Sequence, residues 1–285
     1  MKNIVWLASY PKSGNTWFRI FLINLLRDED KPVDINKFGH TIPIASANNI
    51  FDDALGFDIA DLSYEEADQL RSEIYEFEYQ KVKDTSFIKI HDAFSYNNNF
   101  PIVPLSVTKC SIYFIRNPLD IAVSFANHSG ISIDKSIARM NDASYCFCDK
   151  TDRYQNQLRQ RLFSWSGHVK SWVNAENINF HIIRFEDMKQ YPLETFSEAV
   201  KFAGLKKNQD DIQKALKFSS FDEMQRQEQE NGFSEKALDC KLFFNKGQSG
   251  YWRDILTDNQ IEAVINKHEK VMAQFGYLNS NQEPV

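Results

Sequence analysis

Residues 4–17 read IVWLASYPKSGNTW, and residues 16–26 continue as TWFRIFLINLL. The opening letters IVWL are typical of a buried strand, and the apolar residues of the second stretch recur at helical spacing. A strand that leads through a short loop into a helix directs backbone N–H groups and the positive helix end at an anion. Gly14 lets the backbone approach such an anion closely, and the hydroxyls of Ser13 and Thr16 add donors. We therefore predict a phosphate-binding strand–loop–helix, with an ordinary Pro/Gly turn as the alternative.

This loop differs from the nucleoside-triphosphate loop, which reads G-x-x-x-x-G-K-[ST]. When Gly14 is placed on the last glycine of that pattern, Ser9 stands at the first glycine and Asn15 at the lysine. The lysine of this chain, Lys12, lies inside the loop instead. The sequence therefore predicts a phosphate loop for a ligand other than ATP.

Further along the chain, strand-like runs alternate with helical patterns. The strand candidates are residues 87–90, 110–115 and 180–184, and the helical patterns are residues 158–172 and 261–275. Such alternation indicates a mostly parallel sheet covered by helices on both faces. Because no linker divides the chain, we predict a single α/β domain over residues 1–285, with long irregular loops at residues 97–104 and 129–153.

Composition limits the class of protein. The chain has 285 residues, of which 42% are apolar and 14% aromatic, which is enough for a packed core and excludes a disordered protein. The net charge of −6 gives no overall field that would attract nucleic acid. Any anion site must therefore be built from local charges.

Several classes of site and location are also disfavoured. The four cysteines form no C-x-x-C pair, no Cys/His spacing indicates zinc, and no acidic pair marks a magnesium site. The apolar run at the start is too short for a signal peptide, and no stretch approaches the ~20 apolar residues of a membrane span. We expect a cytoplasmic protein that uses no metal and binds neither nucleic acid nor membrane.

A second basic motif, RNPLDIAVS, occupies residues 116–124. Arg116 follows a predicted strand, and ligands of open α/β sheets bind at the carboxyl ends of strands. Asp120 is favourable in the first turn of a helix, and Ser124 lies one turn further on. Arg116 and Ser124 could then hold one phosphate, although a plain helix start with a solvated arginine is the alternative.

A third basic segment, NKGQSGYWR, occupies residues 245–253. Its loop is bounded by glycines and contains Lys246, so it could fold over a phosphate. The alternative is a surface turn before a helix.

The fourth candidate is Lys89-Ile-His91, at the end of a predicted strand. Side chains two residues apart on a strand lie on the same face, so Lys89 and His91 form a pair that the five other histidines lack. A neutral imidazole can accept an alcohol proton near pH 7. His91 is therefore a candidate general base, whereas the following Asp92 could be a loop acid.

Four segments, taken in order, resemble motifs of the cytosolic sulfotransferase family. Residues 11–17 (PKSGNTW) are similar to its 5′-phosphosulfate loop, usually PKSGTTW, and residues 89–91 to its K-x-H motif. Residues 116–124 resemble its 3′-phosphate motif R-N-P-x-D-x-x-V-S. Residues 245–253 resemble R-K-G-x-x-G-D-W-K, with Asn245 in place of the arginine. The resemblance runs from near residue 4 to near residue 275.

Three weaker matches extend this resemblance. Residues 163–172 (FSWSGHVKSW) are similar to a G-S-W-x-x-H-V-x-x-W helix, which we interpret as core, and residues 185–188 (FEDM) to Y-E-D-M. Residues 219–224 (SSFDEM) are similar to T-S-F-x-x-M, whose first and third positions contact adenine in the family.

The resemblance implies an enzyme that moves a sulfuryl group from 3′-phosphoadenosine 5′-phosphosulfate (PAPS) to a small acceptor, leaving 3′-phosphoadenosine 5′-phosphate (PAP). It implies that His91 takes the acceptor proton, that Lys12 meets charge on the bridging oxygen, and that Lys89 meets charge on the sulfuryl oxygens. The residues implied to bind the nucleotide are Lys12, Ser13, Gly14, Asn15, Thr16, Trp17, Arg116, Ser124, Ser219, Phe221, Lys246 and Gly247.

Two other functions are weighed against this one. A phosphoryl-transfer kinase would need a lysine at position 15 and a magnesium-binding acid. A non-catalytic nucleotide-binding protein would need no base such as His91. The acceptor stays open between a hydroxyl and an amine or amide nitrogen, and so does the oligomeric state. The loops expected to hold the acceptor are residues 38–58, 92–104, 129–153 and 230–244.

Overall fold

A computed structural model of the chain describes residues 2–27, 29–37, 41–97, 99–150, 152, 155–237, 240 and 242–285. The strands are β1 (Ile4–Ser9), β2 (Ser86–Ile90), β3 (Tyr96–Asn97), β4 (Phe100–Pro101), β5 (Thr108–Ile115), β6 (Cys146–Phe147), β7 (Gln160–Arg161) and β8 (Phe180–Arg184). The helices are α1 (Asn15–Leu26), α2 (Asn48–Leu55), α3 (Tyr64–Tyr79), α4 (Pro118–Ser129), α5 (Ile133–Asn141), α6 (Trp165–Val173), α7 (Phe185–Gln190), α8 (Pro192–Phe202), α9 (Gln209–Phe218), α10 (Phe221–Asn231) and α11 (Asp258–Gln274), with 3₁₀ turns at Ile59–Asp61 and Tyr251–Asp254.

The central sheet has four strands in the order β2-β1-β5-β8. Strands β1 and β2 pair in parallel, with Ile4 opposite Ser86 and Ala8 opposite Ile90. All six residues of β1 are buried, as expected for a parallel strand covered on both faces. The predicted α/β fold with a central parallel sheet flanked by helices is confirmed.

One predicted helix begins later than its sequence pattern indicates. The spacing of apolar residues predicted a helix over residues 158–172, whereas α6 begins at Trp165. The Ser164 hydroxyl caps α6 by accepting from the N–H of Gly167 at 3.2 Å, and Phe163 before it has a left-handed φ of 58°. Leu158 and Leu162 are buried, but they belong to an irregular and extended segment before the helix. Their helical spacing is therefore coincidental.

The stretch predicted as irregular at residues 129–153 contains α5. Only Ser136, Ile137 and Met140 of this short helix are buried. Among the described residues, no helix is both long enough and apolar enough to cross a membrane.

The chain packs as two compact units. Unit 1 comprises Met1–Tyr10, Pro43–Tyr113 and Asp142–His181. In its core the ring of Trp6 lies 5.8 Å from that of Tyr75.

Unit 2 comprises Pro11–Ile42, Phe114–Asn141 and Ile182–Val285. In its core the ring of Phe21 meets that of Phe196 edge-on at 4.6 Å. That the whole chain is one domain stays a prediction.

Candidate active site

The predicted phosphate loop lies in unit 2, directly before α1. Gly14 precedes this helix with a left-handed φ of 102°, and no side chain caps the helix. A Cβ on Gly14 would lie 2.9 Å from Cδ2 of Phe185, so both the backbone conformation and the close packing require glycine. Lys12 has a φ of 70°, an uncommon conformation for a residue with a side chain. The uncapped N–H groups of the first turn suit an anion.

Buried donors around this loop have no hydrogen-bond partner within the described part of the chain. They are the hydroxyl of Ser13, the indole Nε1 of Trp17 and the Nε of Arg116. Buried polar groups in folded proteins are nearly always paired, so unpaired ones call for an explanation. A bound anion that accepts from these groups would supply the missing partners.

Arg116 follows β5 and links two of the predicted motifs. Its Nη1 donates to the carbonyl of Lys12 at 3.1 Å, and its Nη2 donates to the carbonyl of Gln248 at 2.9 Å. Its guanidinium also lies over the ring of Phe185, 4.2 Å from the centroid. Burial lowers the pKa of Arg116, partly opposed by the charges of acidic neighbours, so an added anion would stabilise the guanidinium.

The third motif is held beside α4 by an acid. The carboxylate of Asp120 accepts from the N–H groups of Gly250 at 2.8 Å and Trp252 at 3.2 Å. Gly247, with a φ of 59°, packs so closely on Phe221 that a Cβ would lie 2.3 Å from the ring. The loop therefore passes directly over Phe221. The sequence identified Asp120 only as a first-turn acid and missed this second contact.

Lys246 is exposed, and its Nζ lies 5.2 Å from the centroid of the Tyr251 ring. It therefore extends the basic edge of this loop toward solvent.

Lys189 is a further candidate site residue that the sequence motifs did not indicate. Its Nζ lies 5.4 Å from the centroid of the Trp17 ring and 5.7 Å from that of Phe221. Burial lowers the pKa of Lys189, Asp222 opposes this shift, and Arg116 adds to it. Lys189 is thus an exposed cation near Trp17 and near Phe221, the aromatic residue that the resemblance implies for adenine contact. Its only sequence signal is its place directly after the FEDM segment.

Two further predicted nucleotide-binding residues lie on α4 and at the end of α9. Ser124 is partly exposed in the second turn of α4. Ser219 is fully buried, and its hydroxyl donates to the carbonyl of Ala215 at 2.8 Å, which closes the end of α9. Contacts from Ser124 to a 3′-phosphate and from Ser219 to adenine stay predictions.

The candidate base, His91, lies in unit 1 immediately after β2. Its Nδ1 is 2.9 Å from the carbonyl oxygen of Ser9, the last residue of β1, and 3.3 Å from the Ser9 hydroxyl. Because a carbonyl oxygen can only accept, this contact assigns the hydrogen of a neutral imidazole to Nδ1. The lone pair then belongs to Nε2, the nitrogen that could take a proton.

Lys89 is the partner of His91 in the motif. Its backbone N–H and carbonyl form hydrogen bonds on the side of β2 that faces away from β1. Its N–H donates to the carbonyl of Pro43 at 2.9 Å, and its carbonyl accepts from Ala45 at 2.8 Å. The side chain is partly exposed.

Asp92 belongs to a buried ion pair. Its two carboxylate oxygens accept from the guanidinium of Arg71 at 2.8 and 2.7 Å, and one also accepts from the backbone N–H of Arg161 at 3.1 Å. Asp92 and Arg71 are 0% and 1% exposed, so neither charge has water as a partner. The sequence left Asp92 as a possible loop acid and missed Arg71.

Aromatic residues occupy several of the expected acceptor loops. In unit 2, Phe243 lies 4.8 Å from Phe233 and 5.1 Å from Phe244 by ring centroids, and Nζ of Lys12 lies 3.9 Å from the centroid of Phe243. Phe51, by contrast, is a core residue of unit 1. Residues 38–40, 98, 151, 153, 238, 239 and 241 of these loops lie outside the described residues.

Within the described ranges, no group of three or more His, Cys, Asp or Glu side chains is placed to hold a metal ion. Metal independence stays a prediction.

Comparison with known proteins identifies the family. Residues 2–276 match the sulfotransferase domain family, so the chain belongs to it. The chain is therefore a sulfotransferase, and the resemblance found in the sequence is confirmed.

Relatives and solved structures agree with this assignment. Sulfotransferase 2A2 of Rattus norvegicus is 26% identical over 94% of this chain and 84% of its own length. Flavonol 3-sulfotransferase of Flaveria bidentis is 21% identical over 92% of this chain and 79% of its own length.

Two solved structures share the fold. Mouse sulfotransferase SULT7A1 complexed with PAP is 21% identical, with a TM-score of 0.61 over 97% of this chain and 88% of its own. Retinol dehydratase in complex with androsterone and PAP is 18% identical, with a TM-score of 0.64 over 98% of this chain and 83% of its own.

Proposed function

We propose that this chain transfers a sulfuryl group from PAPS to a hydroxyl, or to an amine or amide nitrogen, of a small-molecule acceptor. The unpaired buried donors of Ser13, Trp17 and Arg116 carry the proposal, because a bis-phosphorylated nucleotide would pair with them. The PAP bound in the solved structures of similar fold supports the same donor.

The nucleotide-binding residues are assigned from unit 2. The loop with Lys12, Ser13, Gly14, Asn15 and Thr16 would hold the 5′-phosphosulfate through backbone N–H groups, hydroxyls and one ammonium. Its uncapped helix start and unpaired Ser13 hydroxyl support this role.

The 3′-phosphate would be held by Arg116, Ser124, Lys246 and Gly247. Arg116 supports this assignment best, since its guanidinium is buried with an unpaired Nε. Asn245, in place of the family's arginine, removes one anion contact, and Lys189 offers a further cation in the same unit.

The base would stack near Trp17 and Phe221, which offer flat aromatic area. Ser219 is retained as an adenine contact only through the resemblance. When bound, PAPS supplies the activated sulfuryl group.

The residues proposed for catalysis have separate tasks. Nε2 of His91 takes the proton of the attacking hydroxyl, since its Nδ1 hydrogen is directed at Ser9. Lys12 stabilises charge on the bridging oxygen, and Lys89 stabilises charge on the sulfuryl oxygens.

The acceptor is proposed to be a largely apolar alcohol or phenol. The aromatic cluster of Phe233, Phe243 and Phe244 supports an apolar surface near Lys12. The flavonol named for one relative and the androsterone bound in one solved structure are acceptors or ligands of that kind.

The test is transfer of radiolabelled sulfur from PAPS to a panel of phenols, aliphatic alcohols and amines, with EDTA present in half of the samples. We expect labelled product with at least one acceptor and no effect of EDTA. Failure with the whole panel, together with tight PAP binding, would favour a non-catalytic nucleotide-binding protein. Sulfur transfer that is lost on chelation and restored by Mg²⁺ would contradict the predicted metal independence, whereas phosphate transfer from ATP in place of sulfur transfer would favour the kinase alternative.

A further inference from the structure

We propose that His168 is a positioning residue for sulfuryl transfer, because it holds the backbone of His91 and thereby the orientation of the His91 imidazole. This inference rests on the proposed role of His91 as the base. The sequence indicated a core role for residues 163–172. In the structure, side chains of this stretch also form hydrogen bonds with the backbone that follows β2.

The first observation is a direct hydrogen bond. Nε2 of His168 lies 2.9 Å from the carbonyl oxygen of His91, and this oxygen can only accept. The hydrogen of His168 is therefore on Nε2. Its Nδ1 accepts from the hydroxyl of Tyr113 at 2.8 Å, which fixes that tautomer from the other side.

His168 is suited to this task because it stays neutral. Its side chain is 0% exposed, and burial lowers its pKa to about 4, although the hydrogen bond to His91 acts in the opposite direction. A neutral imidazole with one hydrogen can donate to His91 and accept from Tyr113 at the same time.

Neighbouring residues of α6 hold the next peptide groups in the same way. Nε1 of Trp172 donates to the carbonyl of Asp92 at 2.9 Å. The hydroxyl of Ser171 accepts from the N–H of Phe94 at 2.9 Å and donates to the carbonyl of His168 at 2.7 Å. The segment after β2 is therefore attached to α6 by three side chains in succession.

The two ends of His91 are thus fixed independently. Its ring is held at Nδ1 by Ser9, and its carbonyl is held by His168. Loss of the His168 contact would let the peptide rotate and weaken the contact between Nδ1 and Ser9. The tautomer with its lone pair on Nδ1 would then also be populated, and Nε2 would carry the lone pair in only part of the molecules.

The experiment compares His168→Phe with His168→Gln. Phenylalanine keeps a ring but removes both hydrogen bonds, whereas glutamine retains one donor and one acceptor. With the best acceptor of the panel, His168→Phe should lower kcat about 10- to 100-fold with little change in KM for PAPS. His168→Gln should keep a kcat much closer to that of the wild type than His168→Phe does.

A readout independent of the acceptor is NMR of isotopically labelled histidine at neutral pH, with the His91 signal identified by its absence in His91→Ala. The wild type and His168→Gln should show His91 with hydrogen on Nδ1, and His168→Phe should show a mixture of tautomers. Tyr113→Phe, which removes only one hydroxyl, should lower kcat about 2- to 10-fold.

Val169→Ala is the control for a merely structural role, because it opens a cavity on α6 and removes no hydrogen bond. It should lower the Tm but keep kcat and the His91 tautomer. Equal loss of kcat in Val169→Ala and His168→Phe, or a wild-type kcat in His168→Phe while His91→Ala is inactive, would overturn the inference alone. Full activity of His91→Ala would overturn the proposed base and this inference together.

Discussion

In unit 2, the Ser13 hydroxyl and the Arg116 Nε are buried without a hydrogen-bond partner in the described part of the chain. In unit 1, the Asp92 carboxylate accepts three hydrogen bonds, and the carbonyls of His91 and Asp92 each accept one from a ring N–H. The two named donors of the first region could pair with an anionic ligand, whereas the named groups of the second region already hold the backbone around His91 and Asp92. The difference separates a region built to bind from a segment built to be held in place.

The largest expected effect concerns His91, in the segment that follows β2. His91→Ala should lower turnover by ~10²–10⁴-fold, the usual contribution of a general base. Binding of PAP, measured by calorimetry, should barely change, because the residues proposed to bind it belong to unit 2. Near wild-type turnover would show that the fixed segment has no catalytic purpose.

A second variant breaks the network under this segment. Asp92→Asn removes the nearer of two acidic partners of Arg71, since Asp92 lies 2.7 Å and Asp68 3.8 Å from its guanidinium, and breaking this buried pair should cost about 3–5 kcal/mol of unfolding free energy. Urea denaturation of the wild type and the variant measures it.

The control is Glu78→Gln, which removes the partly exposed partner of the exposed Lys81 and should cost about 1 kcal/mol or less. A similar small cost for Asp92→Asn would mean that the segment is held by other contacts.

Each unit also contains a buried histidine that should make stability depend on pH. Burial lowers the pKa of His168 in unit 1 to about 4 and that of His268 in unit 2 to about 3, from an ordinary value of 6.5. Between these lowered pKa values and pH 6.5 the unfolded chain binds more protons than the folded chain. Stability therefore falls as the pH drops below about 6.5. For His168 the loss is complete near pH 4, and for His268 it continues toward pH 3.

The slope should be up to about 1.4 kcal/mol per pH unit for each histidine. His268→Gln and His168→Gln should each flatten the curve of unfolding free energy against pH, with no change of slope above pH 7.5. An unchanged acid slope in both variants would mean that neither histidine is neutral in the folded protein.

The smallest expected effect concerns the binding region. Lys189→Met removes the cation between Trp17 and Phe221, and should weaken PAP binding roughly 3- to 30-fold. Lys270→Met, at an exposed position of α11, is the control for the loss of one positive charge. Equal affinity of both variants for PAP would remove Lys189 from the nucleotide site.

Local sequence was sufficient for the parts of the molecule whose structure depends on neighbours in the chain. The run IVWLAS forms the buried strand β1, and the uncapped helix after Gly14 follows directly from it. The strand ends that carry His91 and Arg116 were also predicted within a residue or two.

Contacts between distant residues were not predictable in this way. Arg71 lies 21 positions before Asp92 on a helix rich in charged residues, and nothing local distinguishes it from a solvated arginine. The carbonyl of His91 receives its donor from His168, 77 positions later. Only packing brings such groups together, so nothing in the sequence indicated that His168 forms a hydrogen bond with the backbone of the proposed base.

We propose that the unpaired buried donors of unit 2 bind a nucleotide with a 3′-phosphate, and the decisive experiment is titration of PAP and 5′-AMP against the wild type and Arg116→Ala. Hydrogen bonds to charged groups are worth roughly 1.5–3 kcal/mol each, so two or three of them predict a preference for PAP of about 10²–10⁴-fold. Arg116→Ala should lose most of that preference, and 5′-AMP binding should fall much less than PAP binding, although Arg116 also donates to the Lys12 carbonyl of the 5′-phosphate loop. Equal affinity of the wild type for the two nucleotides would rule out the 3′-phosphate site, and with it the main support for PAPS as the donor.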